Sequence, residues 1–415
     1  MKHHSGGARR ALIMAALCLA GGIIYGLPYL RQSYHEPLRQ ALDATNTELG
    51  FLSSMFGILA LACYFPGGWL ADRFSARKLL TVSMFGTGMG GLGFAMLPAF
   101  SWVVAIHAFW GISTILTFWA ALIRATREWG GDAEQGRAFG LLEGGRGLVE
   151  ALVASLALQV FAAYADQVAG LKGVITVYAV AAFVVGAMVW VLIPDVEPDG
   201  GPSHETPREE LIAVLTSFEP WLISLVILCA YAGWWGSFDF VAYAVDGYGQ
   251  TAEEAATLGT FRLWIRPFAA VGAGLLADRF SVHRSLVGGF VSLLAGYTTL
   301  AVLPPNGWVL LWAQTAIVSG ASFALRGIYH ALLEESRIPA HRTGLVVGLA
   351  SVLGYTPDVF QGLLAGAIVD AYPGALGHRI YFGLLAGVAG LGLVAVTVLV
   401  RAVIRHQGKA AVVEG

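Results

Sequence analysis

Polar and Pro/Gly-rich breaks cut this chain into twelve apolar runs, each near the twenty or so residues that a helix needs to cross a hydrocarbon core roughly 30 Å thick. The runs fall near 11–33, 48–71, 79–97, 101–124, 138–161, 173–193, 219–241, 253–277, 285–303, 307–333, 343–369 and 379–402. Inside such a core the backbone has no water to bond, so each run must satisfy its own N–H and C=O groups as a helix. Composition agrees: of 415 residues 57% are hydrophobic and 13% charged, and the mean hydropathy is +0.68, outside the balance of a soluble domain. The expected fold class is an all-α integral membrane protein with twelve transmembrane helices. Arg9 and Arg10 give the first run the polarity of a signal sequence, but its length lets it span, and it reads as an uncleaved helix.

The segment DVEPDGGPSHETPREE (195–210) is the longest polar, Pro/Gly-rich stretch and divides the runs six and six. It marks an N-terminal bundle over 1–194, a linker over 195–217 and a C-terminal bundle over 218–415. Of the 25 Lys and Arg residues, seventeen fall in segments on the linker's side, three (Arg39, Lys172, Arg379) on the other, and five within the runs. The positive-inside rule then puts linker and both termini in the cytoplasm, as in a multi-pass protein of the cytoplasmic (inner) membrane. Across the linker, GWLADRFSARKLL (68–80) matches GLLADRFSVHRSL (274–286) at an offset of 206, with eight of thirteen positions identical. Each copy follows the second run of its half, as in a duplicated, pseudo-symmetric pair of six-helix bundles.

The repeated motif resembles the loop signature of the major facilitator superfamily, carried here by Gly68, Leu70, Ala71, Asp72, Arg73, Arg77 and Lys78, with Ser75 where the family usually has glycine. The resemblance implies that family's two-bundle fold and transport by alternating access. Asp72, at a helix end, is placed to meet basic groups or a helix N-terminus of the other half when the cytoplasmic side closes. Asp72, Arg73, Arg77, Asp278 and Arg279 are therefore the expected inner gate. A purely topological role for the basic residues leaves the paired Asp72 and Asp278 unexplained. His107-Ala-Phe-Trp-Gly111 stands where many members carry Arg-x-x-x-Gly, and EGGRGLVE (143–150) replaces the Gly-Pro-rich antiporter motif, which disfavours drug/proton antiport. Arg266-Pro267 resembles the Arg-Pro of monocarboxylate porters, although Arg262 stands where those have a carboxylate. Arg31 lies near an arginine position of organophosphate antiporters, whose partner arginine in the seventh helix is replaced here by the GWWG neighbourhood (233–236).

Charges inside the runs carry the functional argument, because an arginine at mid-bilayer costs about 2.5–3.5 kcal/mol on insertion scales and normally faces a cavity or a partner. Arg262 and Arg266 share a helix face and repel unless acids or an anion lie between them. Glu143, Arg146 and Glu150 form one stripe on the fifth run; a Glu150–Arg266 pair leaves Arg262, and with it Arg146, for an anion. Salt bridges that only hold helices together are the plainer alternative. Arg31 and Asp239 lie near the outer ends of the first and seventh runs, where a bridge closes the outside, or Arg31 contacts substrate. Asp358, with no opposite charge on its own helix, has the chemistry of a proton carrier or of a hydrogen-bonded structural acid. Tyr25, Tyr29, Trp234, Trp235, Trp264 and Tyr355 are candidate pocket aromatics. Arg326 reads as a snorkelling structural charge, and Arg124 and Arg127 as loop charges.

Cys18, Cys63 and Cys229 sit in apolar runs without metal-ligand spacing, and GTGMGGLGF (86–94) lies inside a run and lacks the Lys-Ser/Thr of a phosphate loop. No cofactor, metal, nucleic acid, obligate protein partner or enzymatic nucleophile is expected. The reading is a secondary transporter of a small organic anion, a monocarboxylate or sugar acid, with proton symport. Arg266, Arg262, Arg31, Arg146, Tyr25, Tyr29, Trp264 and Tyr355 are expected at the substrate, and Glu150, Asp358 and Glu143 at the proton. The alternatives are an anion exchanger of the same fold and a non-transporting membrane receptor. Replacing Arg266 with Gln is expected to abolish transport while the protein still folds; unchanged uptake removes Arg266 from the mechanism.

Overall fold

The structure is a computed structural model that describes residues 6–131, 134–196, 214–329 and 349–413, together with 212, 332 and 346; the side chains at 65, 135, 136, 270, 271, 273–278, 280 and 402–413 are excepted. Most of the expected linker, with Arg208, therefore lies outside the described residues, as do Arg337, Arg342 and the side chain of Asp278.

Six rods precede the linker. The first joins α1 (Gly6–Ile23) to α2 (Arg31–Ala41) through turns at 24–30; then come α3 (Asn46–Ala71) and α4 (Ala76–Ala95). The fourth is α5 (Phe100–Thr114), a π turn at Ile115–Trp119 and α6 (Ala120–Gly130); α7 (Gln135–Ala162) and α8 (Gln167–Leu192) complete the half. After the linker, α9 (Phe218–Gly236) and α10 (Asp239–Tyr248) form the seventh rod. It is followed by α11 (Ala252–Phe280), α12 (Val282–Val302), α13 (Trp308–Ile328), α14 (Pro357–Ala371), which continues helical residues 349–354 across a two-residue turn, and α15 (Ala375–Val413). Among the described residues nine stretches are long and apolar enough to cross a membrane unaided. α11 falls short because it carries Arg262 and Arg266.

The duplication is visible at the helix ends. α3 starts with a capping box in which Glu48 N–H donates to Thr45 Oγ1 (3.1 Å) and Thr45 N–H to Glu48 (2.8 Å). Thr251 and Glu254 repeat it before α11 (3.2 and 2.8 Å) at the same offset of 206, stopping both helices in one way. The seven-residue break before Arg31 likewise has a shorter counterpart at 237–238, before Asp239. Within each half the third and sixth rods pack together, as do the second and fourth.

Two interfaces related by the same symmetry join the halves: α3 on α14, and α11 on α7. The first is a close backbone approach. A β-carbon at Gly50 would collide with the Gly362 carbonyl, and one at Gly366 with that of Asn46, the small-residue packing that brings helices together in lipid. The second is made by charges and is described below.

At the end of the bundle away from the linker the halves are tied repeatedly. Arg31 at the head of α2 faces Asp239 at the head of α10 (3.6 Å), their side chains 5% and 3% exposed. Asp370 of α14 caps α3 from the other half, accepting from Asn46 N–H (3.1 Å) and Nδ2 (2.8 Å) and from Thr47 N–H (2.7 Å) and Oγ1 (2.6 Å). At the linker end Arg73 of the signature loop lies over Trp69 (4.1 Å) and Arg77 over Trp190 (4.5 Å), and the Asp72 side chain is exposed with no hydrogen bond among the described residues. Arg77 also donates to Asp195, the first linker residue (2.7 Å), with Lys78 at 3.8 Å. Hydrogen bonding from Ser75 and these two cations hold the Asp195 carboxyl below the usual carboxylate range. A depressed acid keeps its contact above its ordinary pKa and loses it only as pH falls further. Arg124 is not a loop charge: it donates to the Ala71 carbonyl (2.6 Å) and so closes the C-terminal end of α3.

Gly366→Leu is expected to destabilise the purified protein by about 1–3 kcal/mol through overpacking. Gly140→Leu, where a β-carbon meets nothing within 4 Å, is expected to leave Tm unchanged. For the buried pair, Asp239→Leu alone is expected to melt below Arg31→Met/Asp239→Leu, because one unpaired buried charge costs more than an apolar replacement of both; the reverse order would mean that Arg31 and Asp239 do not act as a pair.

Candidate functional site

The break in the first rod and the aromatic run of α9 deliver one side-chain group to the middle of the bundle. Tyr29 comes from the turns at 24–30, and Tyr231, Trp234 and Trp235 from α9. With Phe238 these rings pack edge to face, Tyr29 lying 6.0 Å from Trp234 and 5.8 Å from Phe238 across the boundary between halves. Tyr64 of α3 stacks on Tyr355 across the same boundary at 6.0 Å, and Tyr355 shares a hydrogen bond with Tyr329 (3.4 Å). Tyr25 borders the group, 6.0 Å from Tyr29.

Asp358 stands at its centre. No cation among the described residues lies within salt-bridge distance; the carboxylate accepts instead from Trp235 Nε1 (2.7 Å), Tyr231 Oη (3.0 Å to each oxygen) and Tyr29 Oη (3.3 Å). Three neutral donors from both halves thus satisfy a buried acid. Discontinuous helices at matching positions of two repeats mark the binding region in such bundles, and here the breaks in the first and seventh rods deliver Tyr29 and Phe238.

The α7–α11 interface carries the charges. Arg266 donates to Glu150 and, at 3.3 Å, to Glu143; Glu143 also accepts from Arg146 at 2.6 Å. Arg146 is occupied further, with Nε on the Gly21 carbonyl (3.2 Å) and its guanidinium 5.2 Å from the Trp119 ring in the π turn. Two acids and two arginines form one neutral chain between the halves. Of these four, Glu143 is 48% exposed, Glu150 and Arg266 20% each and Arg146 6%, so the chain of charges is most open to solvent at Glu143.

The expected Glu150–Arg266 pair is present, but Arg262 and Arg146 are not left over. Arg262, 1% exposed, donates to Ser237 Oγ (2.9 Å) and to Gln32, and lies 4.7 Å from the Phe238 ring. It binds the two helix breaks together, because its long side chain leaves the face it shares with Arg266 and runs toward the tied end. Arg31 is likewise committed to Asp239. Trp264 is not in the aromatic group: its indole donates to Ser155 on α7 (2.9 Å). His107 is a core residue between Phe94 and Trp110, with Nδ1 on the Val103 carbonyl (2.9 Å).

Sequence reasoning passed over Tyr64 and Tyr231, and it read Arg326 as a snorkelling structural charge. The Arg326 guanidinium lies 4.0 Å from the centre of the Trp234 ring and 5.1 Å from that of Tyr231. It makes no ion pair or hydrogen bond among the described residues. The signal was there to use: Ser322, Phe323, Tyr329 and His330, one turn either way, include no acid.

The Major Facilitator Superfamily family model matches residues 11–358. Inner membrane protein YqcE of Escherichia coli K12 is 31% identical over 413 residues, covering 95% of each chain. The probable nitrate/nitrite antiporter NarK1 of Thermus thermophilus is 22% identical over 82% of this chain and 76% of its own. Among solved structures, the inward-facing, unoccupied form of a bacterial homolog of the human lysosomal transporter Spinster superposes with a TM-score of 0.73 at 14% identity, covering 95% of this chain and 98% of that one. A two-half bundle of twelve rods, broken at matching positions and marked by the duplicated loop motif, is thus joined by homology along its length, and the chain belongs to the major facilitator superfamily of membrane transporters.

Proposed function

We propose that the protein carries a small organic anion, a monocarboxylate or sugar acid, across the cytoplasmic membrane together with one proton. The observation that supports this is the charge balance between the halves. Glu143, Arg146, Glu150 and Arg266 cancel; Asp358 and Arg326 add one charge of each sign without pairing. With all six ionised their sum is zero, and one proton taken up by an acid of this set makes it +1, the complement of a monoanion; Arg262, held by the neutral Gln32 and Ser237 at the tied end, is a separate positive charge. Proton and anion then favour each other's binding.

The inner-membrane designation of YqcE and the distribution of Lys and Arg support a linker and termini on the cytoplasmic side. On that orientation the tied end faces outward, and the exposed Glu143 end of the ionic chain faces the cytoplasm. Arg31, Asp239 and Arg262 then form the outer gate. Asp72, Arg73, Arg77, Asp278 and Arg279 form the inner one, which engages when the halves rock the other way. Breaking even a few such contacts shifts a two-state equilibrium by orders of magnitude.

Coupling to a proton also fits the energetics. An inside-negative potential opposes entry of one negative charge by about 2.3 kcal/mol per 100 mV, and a proton moving with a monoanion removes that opposition. In proteoliposomes, uptake of labelled lactate or gluconate is expected to follow an imposed pH gradient, to alkalinise the outer medium, and to be indifferent to a potassium-diffusion potential. Uptake driven by potential alone overturns the proposal. The antiporter designation of NarK1 favours one second reading, anion exchange, which predicts counterflow between anions with no proton movement.

A further inference from the structure

Of the five arginines within the spans, four have partners. Arg31 has Asp239, Arg146 has Glu143, Arg266 has Glu150 and Glu143, and Arg262 has Gln32 and Ser237. We propose that the fifth, Arg326, forms with Trp234 the site that holds the anionic head group, a role the sequence reading assigned to the eighth span; this rests on the anion reading above.

Three donors support it. Stacking on Trp234 holds one face of the guanidinium and leaves its N–H fork in plane, the geometry that accepts two oxygens of a carboxylate. None of those N–H groups has an acceptor among the described residues. Trp234, 9% exposed, has its Nε1–H buried without an acceptor among the described residues. Ser322, one turn before Arg326 and on the same helix face, is buried with its hydroxyl equally unpaired among them. Unmade hydrogen bonds on buried donors cost about 1–3 kcal/mol each, so an indole in contact with Arg326, a hydroxyl one turn from it and the cation itself, all left open, point to a ligand that brings acceptor oxygens and negative charge.

The nearest acid does not fill the role. Asp358 lies within electrostatic reach of Arg326 but its oxygens are taken by Trp235, Tyr231 and Tyr29. A cationic ligand is repelled by Arg326, and a dianion exceeds the single positive charge that one proton leaves on the six central groups. A monoanion remains. The surrounding rings of Tyr231, Trp234 and Tyr355 offer flat faces on which the C–H surface of a hydroxylated body can lie, which favours a hydroxy acid or sugar acid over a bare inorganic anion.

The test is titration of the full-length purified protein with lactate, gluconate and glucose by calorimetry and thermal shift. Wild type is expected to bind an acid and not glucose. Arg326→Gln is expected to raise Kd at least about tenfold, a loss of about 1.4 kcal/mol. Trp234→Phe keeps the ring, removes the N–H and is expected to raise Kd by a similar factor, so the site stays testable should Arg326→Gln not fold. Acid binding unchanged in Arg326→Gln, or in Trp234→Phe, overturns the head-group site and leaves the anion reading standing. Binding of glucose alone by wild type, or of none of the three, overturns the anion reading itself.

Discussion

A carboxylate at mid-bilayer has to be satisfied or the chain does not insert, and the way Asp358 is satisfied organises the centre of this molecule. Its donors arrive from two rods, one in each half: Tyr29 from the broken first, and Tyr231 and Trp235 from the seventh. The acid therefore reports on whether the two halves are together. A salt bridge in its place would tie the halves through a pair of charges that are expensive to separate. Hydrogen bonds from tyrosine and tryptophan are individually modest and can be exchanged as the halves move.

The two interfaces between halves have the same place in the duplicated plan and opposite chemistry. α3 and α14 meet backbone to backbone through glycines and leave no room for a ligand or water. α7 and α11 meet through Glu143, Arg146, Glu150 and Arg266, of which Glu143 is the most exposed. A dry, close-packed contact resists separation, whereas an ionic chain at the edge of an opening tolerates it, since its charges gain solvation as they part. Rocking about the first while the second opens and closes is the motion this asymmetry permits.

Much of the site was legible in the sequence, and the part that was not has a common cause. Depth counting along two helices was enough to pair Glu150 with Arg266, because both lie on rods whose ends the apolar runs define. The same reasoning left Arg262 beside Arg266 and free. An i, i+4 relation fixes where two α-carbons sit, not where two long side chains go, and Arg262 reaches Gln32 and Ser237 on elements whose breaks no periodicity announces. Trp264 was misplaced likewise: its indole turns to Ser155 on a neighbouring helix. The capping boxes at Thr45–Glu48 and Thr251–Glu254 were readable and went unused.

By itself the sequence determined the class of molecule. Runs of about twenty apolar residues have one stable form in lipid, and the repeat at an offset of 206 states that the form occurs twice. It also determined which arginines and acids lie inside the spans, since their cost there depends on depth alone. Only the tertiary structure decided which of those charges neutralise one another. That depends on the approach of helices hundreds of residues apart and on side chains several ångströms long, and it left Arg326, rather than the pair on the eighth span, as the cation with nothing opposite it among the described residues.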